Sequence, residues 1–157
     1  MTPDVPDRFV ELISTITGRI DGAQINPDLA LLLTRDFPPD GGVFGELEQL
    51  CRTGVKDGWL CAREHGGIRF GRPIKPGPAT RGYSVDVVEM ANLAGPHHAH
   101  PNGEIDMVMP IDAGARFDDA PRGWKVYGPG SAHHPTVTGG KALILYLLPD
   151  GAIEFTR

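Results

Sequence analysis

No run of lysine or arginine occurs anywhere in this chain, whose formal net charge is -5. Nucleic acid and anionic membrane both demand a concentrated basic face, so neither is expected as a partner. An anionic small molecule is not excluded, because one or two placed arginines suffice to hold it. Cysteine is nearly missing. Cys51 and Cys61 are the two present, no Cys-x-x-Cys pattern relates them, and they read as buried, reduced thiols. No apolar stretch approaches the roughly 20 residues that cross a bilayer. No basic segment leads into an apolar run near Met1, so no secretory signal is expected and a cytoplasmic location is. Internal repeats and low-complexity tracts are also lacking.

What the chain has in quantity is turn formers, 21 Gly and 15 Pro in 157 residues. That length suits one domain with a real core, and that composition favours many short strands. The first third departs from this pattern. Between Asp7 and Ile20, Phe9, Val10, Leu12, Ile13, Ile16 and Ile20 recur at intervals of three and four, which predicts an amphipathic helix. Asn26-Pro27-Asp28 supplies a cap with proline at the first position of a second helix, running through Leu29–Leu33. A third is predicted near Val43–Thr53, stopped by Gly54.

Beyond Gly54 the period becomes two. Strands are predicted over 59–63, 68–70, 83–90, 104–109, 124–127, 142–148 and 152–155, with 71–78 as a proline-rich loop. The expected organisation is a helical segment, 1–54, packed on a β-barrel, 55–157, or on a partner subunit. The apolar stripe of the helices makes a homodimer the expected assembly.

The chemistry concentrates in Gly95-Pro96-His97-His98-Ala99-His100-Pro101-Asn102-Gly103-Glu104. Imidazoles two apart on a strand point to one side, and after a turn Glu104 returns to that side. Two neutral nitrogens and a carboxylate form a half-shell for a divalent transition metal. A further histidine is available in Pro129-Gly130-Ser131-Ala132-His133-His134, where either His133 or His134 would serve. If Glu104 faces the ion, period two turns Asp106 and Val108 to the same interior and Ile105, Met107 and Met109 away from it. A carboxylate buried there is paired or used. Asp106 is therefore expected either as a general acid/base or as a group holding a ligand imidazole. Tyr127 is a secondary candidate for proton transfer, and His97 is expected to be structural.

The two histidine strings resemble the paired motifs of the cupin superfamily. The resemblance implies a mainly-β double-stranded β-helix, or jelly-roll, barrel with an N-terminal helical segment. It also implies one divalent ion (Fe2+, Mn2+ or Zn2+) held by His98, His100, Glu104 and His133. Ile111 and Val137 stand where such motifs usually carry Gly and Asn, and Pro129 and Gly130 are adjacent rather than separated. Longer strings are similar to the 4-hydroxylaminobenzoate lyases of bacterial nitrobenzoate degradation. They include Gly58-Trp59-Leu60-Cys61, Tyr83-Ser84-Val85-Asp86-Val87-Val88, Pro101-Asn102-Gly103-Glu104-Ile105-Asp106 and Tyr146-Leu147-Leu148-Pro149. That similarity implies conversion of 4-hydroxylaminobenzoate to 3,4-dihydroxybenzoate (protocatechuate) and ammonia. An aromatic carboxylate substrate calls for a cationic fork. Arg72 is the first candidate, with Arg69 and Arg81 behind it, whereas Lys141 reads as a rim charge. An iron-dependent cupin dioxygenase acting on a small aromatic acid and a non-enzymatic ligand-binding cupin are the competing readings.

Overall fold

The computed structural model describes residues 4–156. Three helices come first, α1 (Asp7–Arg19), α2 (Leu29–Asp36) and α3 (Gly42–Asp57). Ten strands follow: β1 (Arg63–His65), β2 (Ile68–Ile74), β3 (Tyr83–Ala94), β4 (His98–His100), β5 (Glu104–Pro110), β6 (Arg116–Phe117), β7 (Gly123–Tyr127), β8 (Ser131–His133), β9 (Thr136–Pro149) and β10 (Glu154–Phe155). The larger sheet runs β1-β2-β3-β9-β5-β7, with β6 joined to β9, and the smaller runs β10-β4-β8. Every pairing is antiparallel. Two antiparallel sheets preceded by helices make the mainly-β architecture with an N-terminal helical segment that the sequence predicts.

Period two divides the large sheet into two apolar layers. Ile105, Met107 and Met109 of β5 join Leu143, Leu145 and Leu147 of β9 and Val85 and Val87 of β3 in one cluster with the helices. The alternate residues Val108, Ile144, Tyr146, Leu148, Val88 and Met90 form a second cluster in the interior. The helical stripe is thus covered by the chain's own sheet, through Phe9, Ile13, Ile16, Leu33, Phe44 and Leu47, each fully buried. Edge-to-face contacts of Phe9 with Trp59 (5.2 Å) and Phe44 with Trp124 (5.8 Å) lock it down. The Trp124 indole N–H also donates to the Phe37 carbonyl at 2.9 Å.

Several boundaries differ from those the sequence predicts. Gly54 does not stop α3, which runs on to Asp57 and ends at Gly58 in the left-handed region, φ 88°. Gly54 lies inside the helix because a Cβ there would come within 2.8 Å of Leu60 and Trp59 atoms. The strand expected at 59–63 is instead a buried turn at Trp59-Leu60-Cys61, and β1 begins only at Arg63. Both cysteines are free and buried, and burial pushes the Cys61 thiol up to about 12. The region read as a proline loop continues β2 to Ile74, with a register shift between Gly71 and Ile74. Pro73 is tolerated there because that segment is irregular. The strand expected over 152–155 shortens to β10. Among the described residues, no helix is long and apolar enough to cross a membrane.

The tight seat of Gly54 gives a direct check. Gly54→Ala should overpack the Trp59–Leu60 turn and cost about 1–3 kcal/mol, read as a lower urea midpoint with an unchanged m-value.

Candidate active site

β4 and β8 pair so that His98 lies opposite His133. Within β4, His98 and His100 are buried while Ala99 between them is not, as alternation requires. The chain then reverses through Pro101-Asn102-Gly103, where the Gly103 N–H donates to the His100 carbonyl at 3.2 Å. Gly103 has φ 92°, and a Cβ there would sit 2.6 Å from Ile25 and 3.0 Å from the Tyr127 carbonyl. Glycine is demanded by both facts. The reversal delivers Glu104, fully buried, to the interior face of the large sheet. His134 points the other way. Its Nδ1 lies 3.2 Å from the Gly95 carbonyl and its ring 4.8 Å from that of His97, so His133 is the histidine that converges.

Ligand atoms of His98, His100, Glu104 and His133 lie within 4.8 Å of one another. Glu104 Oε1 is 3.3 Å from His98 Nε2 and 3.2 Å from His100 Nε2, and its Oε2 is 3.6 Å from His133 Nε2. The outer nitrogens determine the tautomers. Ser131 Oγ donates its one proton to the Gly128 carbonyl at 2.6 Å. It can therefore only accept from His100 Nδ1, 2.8 Å away, which leaves His100 Nε2 as a lone pair. His133 Nδ1 likewise faces Asp118 Oδ2 at 2.5 Å, so its Nε2 presents a lone pair 3.2 Å from His98 Nε2.

His100 Nε2 and Glu104 Oε2 are buried without a hydrogen-bond partner. Lone pairs and a carboxylate crowded together call for a positive charge at their centre, and the donor set fits a divalent transition ion. The same demand is visible in the titration. Burial would raise the Glu104 carboxyl, but His100, His133 and His98 hold it well below the usual range. Burial would lower His133, yet Asp118 and Glu104 raise it to about 9, so without a cation its Nε2 would hold a proton, and binding a cation frees that lone pair by displacing the proton.

Asp118 was not singled out in the sequence. Asp118 and Asp119 both have positive φ, 47° and 67°, in a two-residue hairpin closed by reciprocal bonds between Phe117 and Ala120. The Asp-Asp pair flanked by Phe117 and Ala120 was the available signal. Asp118 Oδ1 accepts the Thr136 N–H at 2.9 Å, and its Oδ2 accepts the Tyr127 hydroxyl as well as His133. Tyr127 therefore does not present its hydroxyl to the interior as a proton carrier. It stands behind His133, ring to ring at 4.5 Å.

Asp106 is fully buried, and neither carboxylate oxygen has a hydrogen-bond partner. It does not hold a ligand imidazole, the second role considered for it. Burial, then the neighbouring Glu104, push its carboxyl well above the usual range. The register sets Asp86, Tyr146, Asp106 and Lys125 in one row across β3, β9, β5 and β7. Three of these, Asp86, Tyr146 and Lys125, were missed. A polar residue at every second position of a strand is visible only once the facing strands are known.

A cavity of about 830 Å³ opens beside His98 and Tyr146 and extends under β2. Ile68, Phe70, Val88, Met90, Ile153 and Phe155 supply apolar wall. Of the three expected arginines only Arg72 lines it, and its Nε and Nη2 donate to Asp86 at 2.8 and 3.0 Å. Arg69 is one residue out of phase with Phe70 and pairs with Glu89 at 3.3 Å on the opposite face. Arg81 caps a short 3-10 turn, 3.8 Å from Asp21, outside the cavity.

The sequence profile of a family described as PnbB, 4-hydroxylaminobenzoate lyase, matches residues 11–155. A 4-hydroxylaminobenzoate lyase of Nocardioides sp. (strain LMS-CY) is 31% identical over 162 residues, covering 97% of this chain and 93% of that protein. A 4-hydroxylaminobenzoate lyase of Pseudomonas putida is 28% identical over 167 residues, covering 95% and 94%. Among solved structures, an RmlC-like cupin protein from Ralstonia eutropha JMP134 aligns at 14% identity with a TM-score of 0.46, covering 61% of this chain and 64% of that one.

The crowding of donors predicts one divalent ion bound per chain after chelation and reloading, measured by elemental analysis and calorimetry. Glu104→Ala and His98→Ala should abolish binding. Asp118→Asn, which spares the donors but weakens the hold on His133, should cost about 10–100-fold in affinity.

Proposed function

This chain belongs to the 4-hydroxylaminobenzoate lyase family and is an enzyme, and we propose that it converts 4-hydroxylaminobenzoate and water to 3,4-dihydroxybenzoate and ammonia, with a divalent ion held by His98, His100, Glu104 and His133. The observation that carries this reading is the cavity. It runs from His98, the member of the histidine cluster that lines it, past Tyr146, along apolar wall to cationic side chains on β1 and β2. A flat ring with a carboxylate at one end and a hydroxylamine opposite matches that sequence of environments.

The reaction needs an electrophile on the departing oxygen, water added to the ring carbon beside nitrogen, and hydrolysis of the resulting imine. One water leaves as the N–O bond breaks and two are consumed, so the net uptake is one water with no external electrons. A bound divalent cation supplies Lewis acidity toward an oxygen of substrate or water.

The remaining tasks fall to the chain. Asp106 projects into the interior on the same face as Glu104, unpartnered, and is assigned the proton transfers: delivery to the departing oxygen, removal from the water that adds. Asp118, Tyr127 and Ser131 hold His133 and His100 in the tautomers that aim Nε2 inward. Apolar residues of the wall, with Phe155 at the rim, exclude bulk water around the ring. A cationic group on the β1–β2 side holds the carboxylate, and Arg72 belongs to that side.

Incubated without oxygen, the purified protein should release ammonia and 3,4-dihydroxybenzoate in equal amounts. A strict requirement for oxygen would instead establish the iron-dependent dioxygenase reading. Asp106→Asn should lower kcat by roughly 10²–10⁴-fold with metal content retained.

A further inference from the structure

Three cationic side chains line the cavity, Arg63, Arg72 and Lys75. Their circumstances differ. Arg72 already donates to Asp86 along one edge of its guanidinium, through Nε and Nη2 at 2.8 and 3.0 Å, and its Nη2 also donates to the Gly151 carbonyl at 3.3 Å. The Arg72–Asp86 couple is therefore neutral, and a ligand carboxylate approaching it meets a second carboxylate. Drawing Arg72 away would strand Asp86 on the interior face with no partner.

Arg63 and Lys75 carry no such obligation. The ion pairs of the described residues engage Arg69, Arg72 and Arg81 on this side of the protein and leave these two uncompensated. The register places Arg63 opposite Phe70, and Phe70 opposite Val88. The guanidinium therefore stands at the end of a row whose next members form the apolar wall. β1 is exposed along its length, as is Lys75, so both charges stay hydrated until a ligand arrives. In a chain of net charge -5, an anion needs a local positive rim to enter at all.

We propose that Arg63 receives the carboxylate of the aromatic acid, with Lys75 as a second cation lining the same cavity, while Arg72 serves with Asp86 as a neutral piece of wall. The inference rests on the aromatic-acid reading of the cavity. It makes Arg63 and Lys75 the residues that select a benzoate over an uncharged ring.

The test is calorimetric binding of two unreactive probes, 4-aminobenzoate and 4-aminobenzamide, to the metal-loaded protein. Wild type should favour the acid over the amide by at least roughly tenfold, the scale of a charge-assisted hydrogen bond. Arg63→Gln should erase most of that preference, and the Arg63→Gln, Lys75→Gln double variant all of it, with amide binding unchanged. Both substitutions lie at exposed positions and should leave the fold intact. If the double variant keeps the preference, the anchor lies elsewhere and the inference fails while the aromatic-acid reading stands. Loss of the preference in Arg72→Gln alone would identify that anchor. If wild type itself does not distinguish the two probes, the aromatic-acid reading falls, and with it the inference.

Discussion

A carboxylate with 0% exposure, faced by three imidazoles, is the constraint to which the rest of this structure answers. Removing Glu104 from water costs several kcal/mol, and nothing in an apolar interior returns it. The compensation comes from the opposite sheet, with His98 and His100 on β4 and His133 on β8, while the acid sits on β5 of the larger sheet. Opposed sheets must therefore approach closely at this one end. The positive φ of Gly103 and the Asp118-Asp119 hairpin are local features that let the chain turn sharply enough to bring them there.

The same strand that carries the acid also anchors the helical third. β5 is buried at all seven positions, with its two faces serving different partners. Ile105, Met107 and Met109 meet the helices, while Glu104, Asp106 and Val108 look inward. A slip of one residue in register would exchange carboxylates for methionines on both faces. The helices thus do more than cover an apolar surface. By burying the outer face of β5 they specify which face holds the chemistry.

Much of the site was legible because its spacing is short. His98-Ala99-His100 needs only a strand to place two rings together, and Pro101-Asn102-Gly103 announces the turn that returns Glu104. Choosing between His133 and His134 required the pairing of β8 with β4. Tyr127 looked available because its partner Asp118 lies nine residues away on another hairpin. Arg69 and Arg72 are close in sequence, yet period two and a register shift put them in different surroundings. Gly54 resembled a helix stop because its true reason, contact with Trp59 and Leu60, arises only after the chain has folded back.

Local patterning by itself determined the helical first third, the change to period two, and the face on which Glu104 and Asp106 would lie, since these follow from backbone geometry within a few residues. Tertiary structure alone decided which hydroxyls and charges remain free. An ion pair such as Arg72–Asp86, or a shared acceptor such as Asp118, spends a side chain's capacity on a partner distant in sequence. Availability for chemistry is what is left after those pairings are made.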